Sequence, residues 1–298
     1  MIVLGREGFS ERLAKELRAE FARIETKVFP DGESYFRISE PEKIRGKKAI
    51  LVVRGRTPNL DQNRMLTESF LLLDKLKALK AKKTCLLLPY IPYSRQDREF
   101  LKGETVSVKT VRNLLKEKCD LLVNVTSHDF RKEGWIDKKT YNIDATESVT
   151  EFLKSKKFEN PVVMAPDMSV SENVEELAKS LGGNSIGFEK ERDLKTGKIR
   201  TFGKIPNLRG RELIIYDDVA SFGETLYKAV LMGKKAKASK IICILIHVLS
   251  VYNKKFEKNS IDLIKDESDE YYSSDTIESP ITKFSIIKQV SEFLKENF

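Results

Sequence analysis

The sequence predicts an α/β protein of two units, each a mainly parallel sheet flanked by helices. Three observations predict it. Strand-like apolar runs recur along the chain, helical spacing fills the stretches between them, and the pattern restarts after about residue 143.

The runs are "KAILVVRG" (48–55), "TCLLLPYI" (84–91), "DLLVNVT" (120–126), "NPVVMAPD" (160–167), "ELIIYDDV" (212–219) and "KIICILIHVLS" (240–250). They are continuously apolar rather than alternating, as expected of strands covered on both faces. Within 62–80, Leu66, Phe70, Leu73 and Leu76 fall at helical spacing, and 168–181 and 223–237 behave similarly. The restart, with a helix near Ala145 and a strand at 160, sets the expected domains at 1–144 and 145–298. The polar, acidic stretch 264–282 reads as loop plus a short strand, and a last amphipathic helix as 284–297. No internal repeat is visible.

At 298 residues the chain suits two domains of roughly 100–200 residues each. With 40% hydrophobic and 33% charged residues it is neither disordered nor membrane-spanning, and no apolar run approaches the roughly 18 residues of a membrane span. The opening "MIVLGREGFSERL" lacks the pattern of a secretory signal, so a cytoplasmic location is expected. Cys85, Cys119 and Cys243 have no metal-type spacing and read as buried thiols. The net charge of +9 is interspersed and suits anionic small ligands. No DNA-reading helix pair or basic arm supports a nucleic-acid partner.

Ligands of open parallel sheets bind beyond the carboxyl ends of the strands. After 84–91 comes "PYSRQDREF", where arginine forks match phosphate oxygens in pairs. After 120–126 come Ser127, His128 and Asp129, and after 160–165 come Pro166 and Asp167. Asp217 and Asp218 follow 212–216, and carboxylates accept hydrogen bonds from a vicinal diol. The turn after them closes at a helix N-terminus, which presents N–H groups to a phosphate. No Walker-type or dinucleotide glycine motif occurs. His247, inside an apolar strand, reads as a hydrogen-bonded structural histidine.

Over nearly its whole length the chain resembles the ribose-phosphate pyrophosphokinases (phosphoribosyl pyrophosphate synthetases), particularly the archaeal kind. "VFPDGESYFRI" (28–38) looks like the segment that reaches ATP from a neighbouring subunit, which points to Asp31, Gly32 and Glu33. "YIPYSRQDREF" (90–100) is similar to the ATP-binding signature, carried by Arg95 and Gln96. "APDMS" (165–169) resembles the strand-end aspartate motif, and "FEKERD" (188–193) the start of a basic hairpin with Lys190 and Arg192. "YDDVASFGET" falls on the ribose 5-phosphate loop: Asp217, Asp218, Ser221, Phe222, Gly223, Glu224 and Thr225.

The resemblance implies two phosphoribosyltransferase-like domains and transfer of pyrophosphate from ATP to the C1 hydroxyl of ribose 5-phosphate. It implies Mg2+ held by His128 and Asp167, catalytic Lys190 and Arg192, and self-association. Four positions depart from the family pattern. Phe222 stands where threonine is usual, Glu224 where a small residue is usual, Thr126 where an acid precedes the histidine, and Ser169 in place of glycine. Like charges about 4 Å apart repel by roughly 1 kcal/mol in water and several times that near a protein surface. Glu224 therefore raises an alternative: an impaired paralogue acting as a regulatory or nucleotide-binding subunit of a true synthetase.

Overall fold

The computed structural model describes the chain apart from residues 131, 167–170, 187–188, 193–198 and 203–204; at 171, 189–192 and 199–202 it describes backbone only. The chain divides into one unit of Met1–Asp144 with Ser285–Phe298 and a second of Ala145–Phe284.

The first unit is built on an eight-stranded sheet: β1 (Ile2–Gly5), β2 (Glu20–Val28), β3 (Ser34–Ile38), β4 (Lys48–Val52), β5 (Lys83–Leu87), β6 (Leu121–Val125), β7 (Gly134–Asp137) and β8 (Thr140–Ile143). Its order is β3-β2-β1-β4-β5-β6-β8-β7, parallel except where β3 and β7 close the two edges as hairpins. Helices α1 (Phe9–Glu16), α2 (Gln62–Ala78) and α3 (Ser107–Lys118) connect the strands. Ile2, Leu4, Ala49, Leu51 and Leu86 from the strands pack with Leu72, Leu73, Leu76 and Leu115 from the helices. Each apolar helix stripe thus meets an apolar strand face, and both are removed from water.

The second unit opens with α4 (Thr146–Lys154), then β9 (Val162–Met164), α5 (Ser171–Ser180), β10 (Asn184–Ile186) and a hairpin of β11 (Glu189–Arg192) with β12 (Ile199–Phe202). There follow β13 (Glu212–Ala220), α6 (Glu224–Lys235), β14 (Lys240–Val248), a small hairpin of β15 (Tyr252–Asn253) with β16 (Lys258–Asn259), and α7 (Ser260–Lys265). β17 (Glu270–Ser274) and β18 (Thr282–Phe284) complete a sheet of order β10-β9-β13-β14-β17-β18, parallel throughout. The short strand expected within 264–282 is β17, which stands inside the sheet between β14 and β18.

The six parallel strands of this sheet repeat the order β2-β1-β4-β5-β6-β8 of the first unit. The duplication is topological and leaves no sequence repeat. In both units the order reverses beside the first strand, between β1 and β4 and between β9 and β13. Those carboxyl edges are where such a sheet offers a crevice.

The C-terminal helix α8 (Ile287–Asn297), expected to belong to 145–298, packs in the first unit instead. Phe293 stacks on Tyr141 with ring centroids 4.0 Å apart, and Trp135 meets both rings. Gln289 donates to the Asp144 carbonyl at 2.9 Å, and Lys48 donates to the main-chain oxygen of Phe298. An amphipathic pattern shows that a helix needs an apolar surface, not which surface; here β7, β8 and α1 provide it.

Truncating Phe293 to Ala should cost about 3 kcal/mol through loss of buried ring contacts. Chemical denaturation followed by the fluorescence of Trp135, the single tryptophan, measures it. In the second unit burial opposes ionisation of Glu270, but hydrogen bonds from Lys240, Tyr272 and Lys156 outweigh it and pull the carboxyl from 4.5 down to about 2. Its stabilising contribution is complete above the unfolded value of 4.5 and is lost as pH falls towards about 2. Glu270→Gln should therefore flatten the acid limb of the stability curve between those two pH values and lower stability at neutral pH, read from urea midpoints across the range.

Candidate functional site

In the first unit the loops after β5 and β6 come together. Past β5 the chain turns at Tyr93, whose φ is 66°, and Gln96 N donates to the Tyr93 carbonyl at 3.1 Å. Arg95 is exposed and Gln96 half-buried. Asp97 lies below the usual carboxylate range, first because Arg98 hydrogen-bonds it at 3.0 and 2.8 Å, and His128 is among the charges that lower it further.

The His128 loop is held from beneath. Arg112, 7% exposed on α3, forks onto Asp129 at 2.7 and 3.0 Å. Ser127 Oγ donates to Asp129 at 2.5 Å, and Ser127 N donates to Asn142 Oδ1 at 2.9 Å. Sequence reading missed Arg112 and Asn142 as supports. The signal for Arg112 was present: it interrupts the apolar stripe of Val108, Val111 and Leu115 on α3.

Asp31, Gly32 and Glu33 form the exposed tip of the β2–β3 hairpin. Gly32, with φ at 91°, makes the turn, and Glu33 N donates to Asp31 Oδ1 at 3.0 Å. β1 and β4 stand between β2 and β5 in the sheet.

In the second unit Asp217 and Asp218 lie inside β13, not beyond it, at 8% and 2% exposure. Strand alternation puts Asp217 on the face of Leu213 and Ile215, and Asp218 on that of Ile214 and Tyr216. The chain then turns through Ser221, which is buried, and Phe222, which is half-exposed, to Gly223. Gly223 is the N-cap of α6 with φ at 76°, and no side chain caps that N-terminus. At the matching place in the first unit Asp61 caps α2, its carboxylate accepting from Arg64 N at 2.9 Å. Of the two switch-point helices on this side, only α6 keeps its first turn open to a ligand.

Glu224 does not stand alone at this turn. Its Oε1 is 2.9 Å from Lys255 Nζ and 3.1 Å from Lys228 Nζ. The Lys255 and Lys228 hydrogen bonds hold its carboxyl below the usual range. Thr225 is exposed on the first turn. Sequence reading missed Asn253, Lys255 and Lys228, of which the first two come from the β15–β16 hairpin.

Asp167 lies outside the described residues. Lys190 and Arg192 are on β11, opposite Thr201 and Ile199 of β12, and their side chains lie outside the description. His247 is 1% exposed and shares a 2.9 Å hydrogen bond with Thr276 Oγ1. All three cysteines are free and buried, and among the described residues no helix is long and apolar enough to cross a membrane.

Removing Arg112 would leave Asp129 buried without its counter-charge, which costs about 3–5 kcal/mol. Arg112→Ala should lower stability by that amount, whereas the paired change Arg112→Met with Asp129→Leu should recover most of it, as measured by urea unfolding.

Residues 3–118 match the family model for the N-terminal domain of ribose phosphate pyrophosphokinase. A ribose-phosphate pyrophosphokinase of Sulfolobus acidocaldarius is 36% identical over 299 residues, covering 98% of each chain. Another, of Sulfurisphaera tokodaii, is 34% identical over 96% of this chain and 97% of the relative. Among solved structures, phosphoribosylpyrophosphate synthetase from Mycobacterium smegmatis covers 100% of this chain and 99% of its own, with a TM-score of 0.80 at 25% identity. With identity sustained from end to end, and the strand-end arrangement described above, the chain belongs to the ribose-phosphate pyrophosphokinase family.

Proposed function

We propose that the chain transfers a pyrophosphoryl group from ATP to the C1 hydroxyl of ribose 5-phosphate, giving phosphoribosyl pyrophosphate and AMP. One observation carries the reading: two buried aspartates on β13 run directly into a helix N-terminus that no side chain caps. Carboxylates accept from sugar hydroxyls, and open N–H groups donate to a phosphate. Asp217 and Asp218 are accordingly assigned to the ribose, and Ser221, Phe222, Gly223, Glu224 and Thr225 to the 5-phosphate, with Phe222 and Glu224 contributing main chain. The two lysines on Glu224 leave no unbalanced anion at the turn, which favours the catalytic reading over that of a subunit without activity.

The first unit is assigned the nucleotide. Arg95 and Gln96 hold ATP, Arg95 through the planar fork that suits phosphate oxygens. Asp31, Gly32 and Glu33, exposed at a hairpin tip and similar to the family segment that reaches a neighbour's nucleotide, are assigned to the nucleotide of a neighbouring copy, so self-association completes the site. The ribose C1 oxygen attacks the β-phosphorus, the bond from that phosphorus to the α-phosphate oxygen breaks, and AMP leaves. Such a step needs positioning and charge neutralisation more than covalent help. Lys190 and Arg192 are assigned to the charge on the group in transit.

Mg2+ fits as an ion carried largely by phosphate oxygens and water. It is a hard cation that needs few protein ligands where phosphate groups supply oxygens. His128 and Asp167 are the residues assigned to hold it. The ion would neutralise the triphosphate. Three free buried thiols suit a reducing cytoplasm.

Purified protein given ATP, ribose 5-phosphate and Mg2+ should release AMP in a coupled assay, and a chelator should stop it. No turnover above background at millimolar substrate would overturn the assignment.

A further inference from the structure

We infer that the strap from Leu249 to Asn259, between β14 and α7, is the second wall of the phosphate turn, with Asn253 and Lys255 as its positioning residues. The inference rests on the assignment of residues 221–225 to the sugar 5-phosphate.

Three successive carbonyls of the turn are taken by the strap. Leu249 N donates to the Ala220 carbonyl at 2.9 Å, Val251 N to that of Ser221 at 3.2 Å, and Asn253 Nδ2 to that of Phe222 at 3.2 Å. The peptides concerned are trans, since the cis bond lies at Thr57–Pro58. A planar trans peptide carries its N–H opposite its carbonyl. The N–H groups of Ser221, Phe222 and Gly223 therefore point away from the strap, and a run of N–H groups with a common direction is an anion cradle. This donor set is built from main chain, so it does not require the hydroxyl that Phe222 lacks.

Asn253 is the side chain in that ladder. It is 7% exposed, and its Oδ1 accepts from Lys255 N at 3.0 Å, so one amide orients both the 222–223 peptide and the start of Lys255. Lys255 then reaches Glu224 at 2.9 Å and draws its carboxylate towards the strap. Directly after the strap, the first residue of α7 presses on Gly223, where an added Cβ would lie 2.9 Å from Ser260 Cβ. Phe256 meets Tyr227 of α6 with ring centroids 4.9 Å apart, which pins the strap to the helix it serves.

The test is a set of kinetic constants for wild type, Asn253→Asp, Lys255→Met, Glu224→Gly and the pair Lys255→Met with Glu224→Gly. Asn253→Asp replaces a donor by an acceptor facing the Phe222 carbonyl and should raise the KM for ribose 5-phosphate about tenfold or more, with the KM for ATP nearly unchanged. Lys255→Met should raise it about tenfold in the wild-type background and do nothing once Glu224 is glycine. Thermal melting identifies a variant that fails to fold. Should Asn253→Asp be one, the Lys255 comparison decides alone, since Lys255 is exposed. An unchanged sugar-phosphate KM in both single variants, or an equal Lys255→Met effect with glycine at 224, would overturn the strap while leaving the loop assignment intact. Wild-type turnover without saturable dependence on ribose 5-phosphate would overturn the loop assignment and the strap with it.

Discussion

The N-terminus of α6 is the constraint around which the second unit is arranged. A helix leaves its first N–H groups without intrahelical acceptors, and a protein satisfies them with a side chain, water or a ligand. At α2 the carboxylate of Asp61 does this. At α6 the capping position is Gly223 in the left-handed region, which supplies backbone geometry and no acceptor. The turn ahead of it is shaped from behind by the strap. An acidic cap would close the site; the glycine keeps it open to an anion.

Charge follows the same logic. A carboxylate at residue 224 would repel a phosphate dianion if it stood alone. With Lys228 one turn along α6 and Lys255 arriving from the strap, the local sum is positive. A departure from the family pattern at one position is thus met by a cation 31 residues away in sequence. The first unit shows a parallel economy. Asp129, beside His128, is buried only together with Arg112, and the two-point fork fixes direction as well as charge.

Both sites belong to one architectural rule applied twice. In a parallel sheet the loops that leave the strands lie at the carboxyl edge, and the reversal of strand order opens a crevice there. The two sheets share six strands in one order, yet their switch-point helices differ, one capped by its own aspartate and one not. A common topology therefore supplied two frames, and local sequence gave their switch-point helices different caps.

Much of this was legible in the residues alone. The continuous apolar runs marked β4, β5, β6, β9, β13 and β14, because burial on both faces removes alternation whatever the fold's details. The motifs at residues 95–98, 128 and 221–225 marked the ends of strands, since their chemistry is local, whereas Asp217 and Asp218, expected past the strand, lie within β13. Very short strands were not legible: β1 and β8 are four residues each and β10 is three, too few to show a pattern. Nor was the home of α8, whose stripe fits any apolar surface of the right width. The partners of Glu224, the grip of Asn253 on the Phe222 carbonyl and the fork of Arg112 arise from contacts between segments distant in sequence. Residue type and spacing set which groups can hydrogen-bond or carry charge; only the folded chain decides which of them are brought within 3 Å of one another.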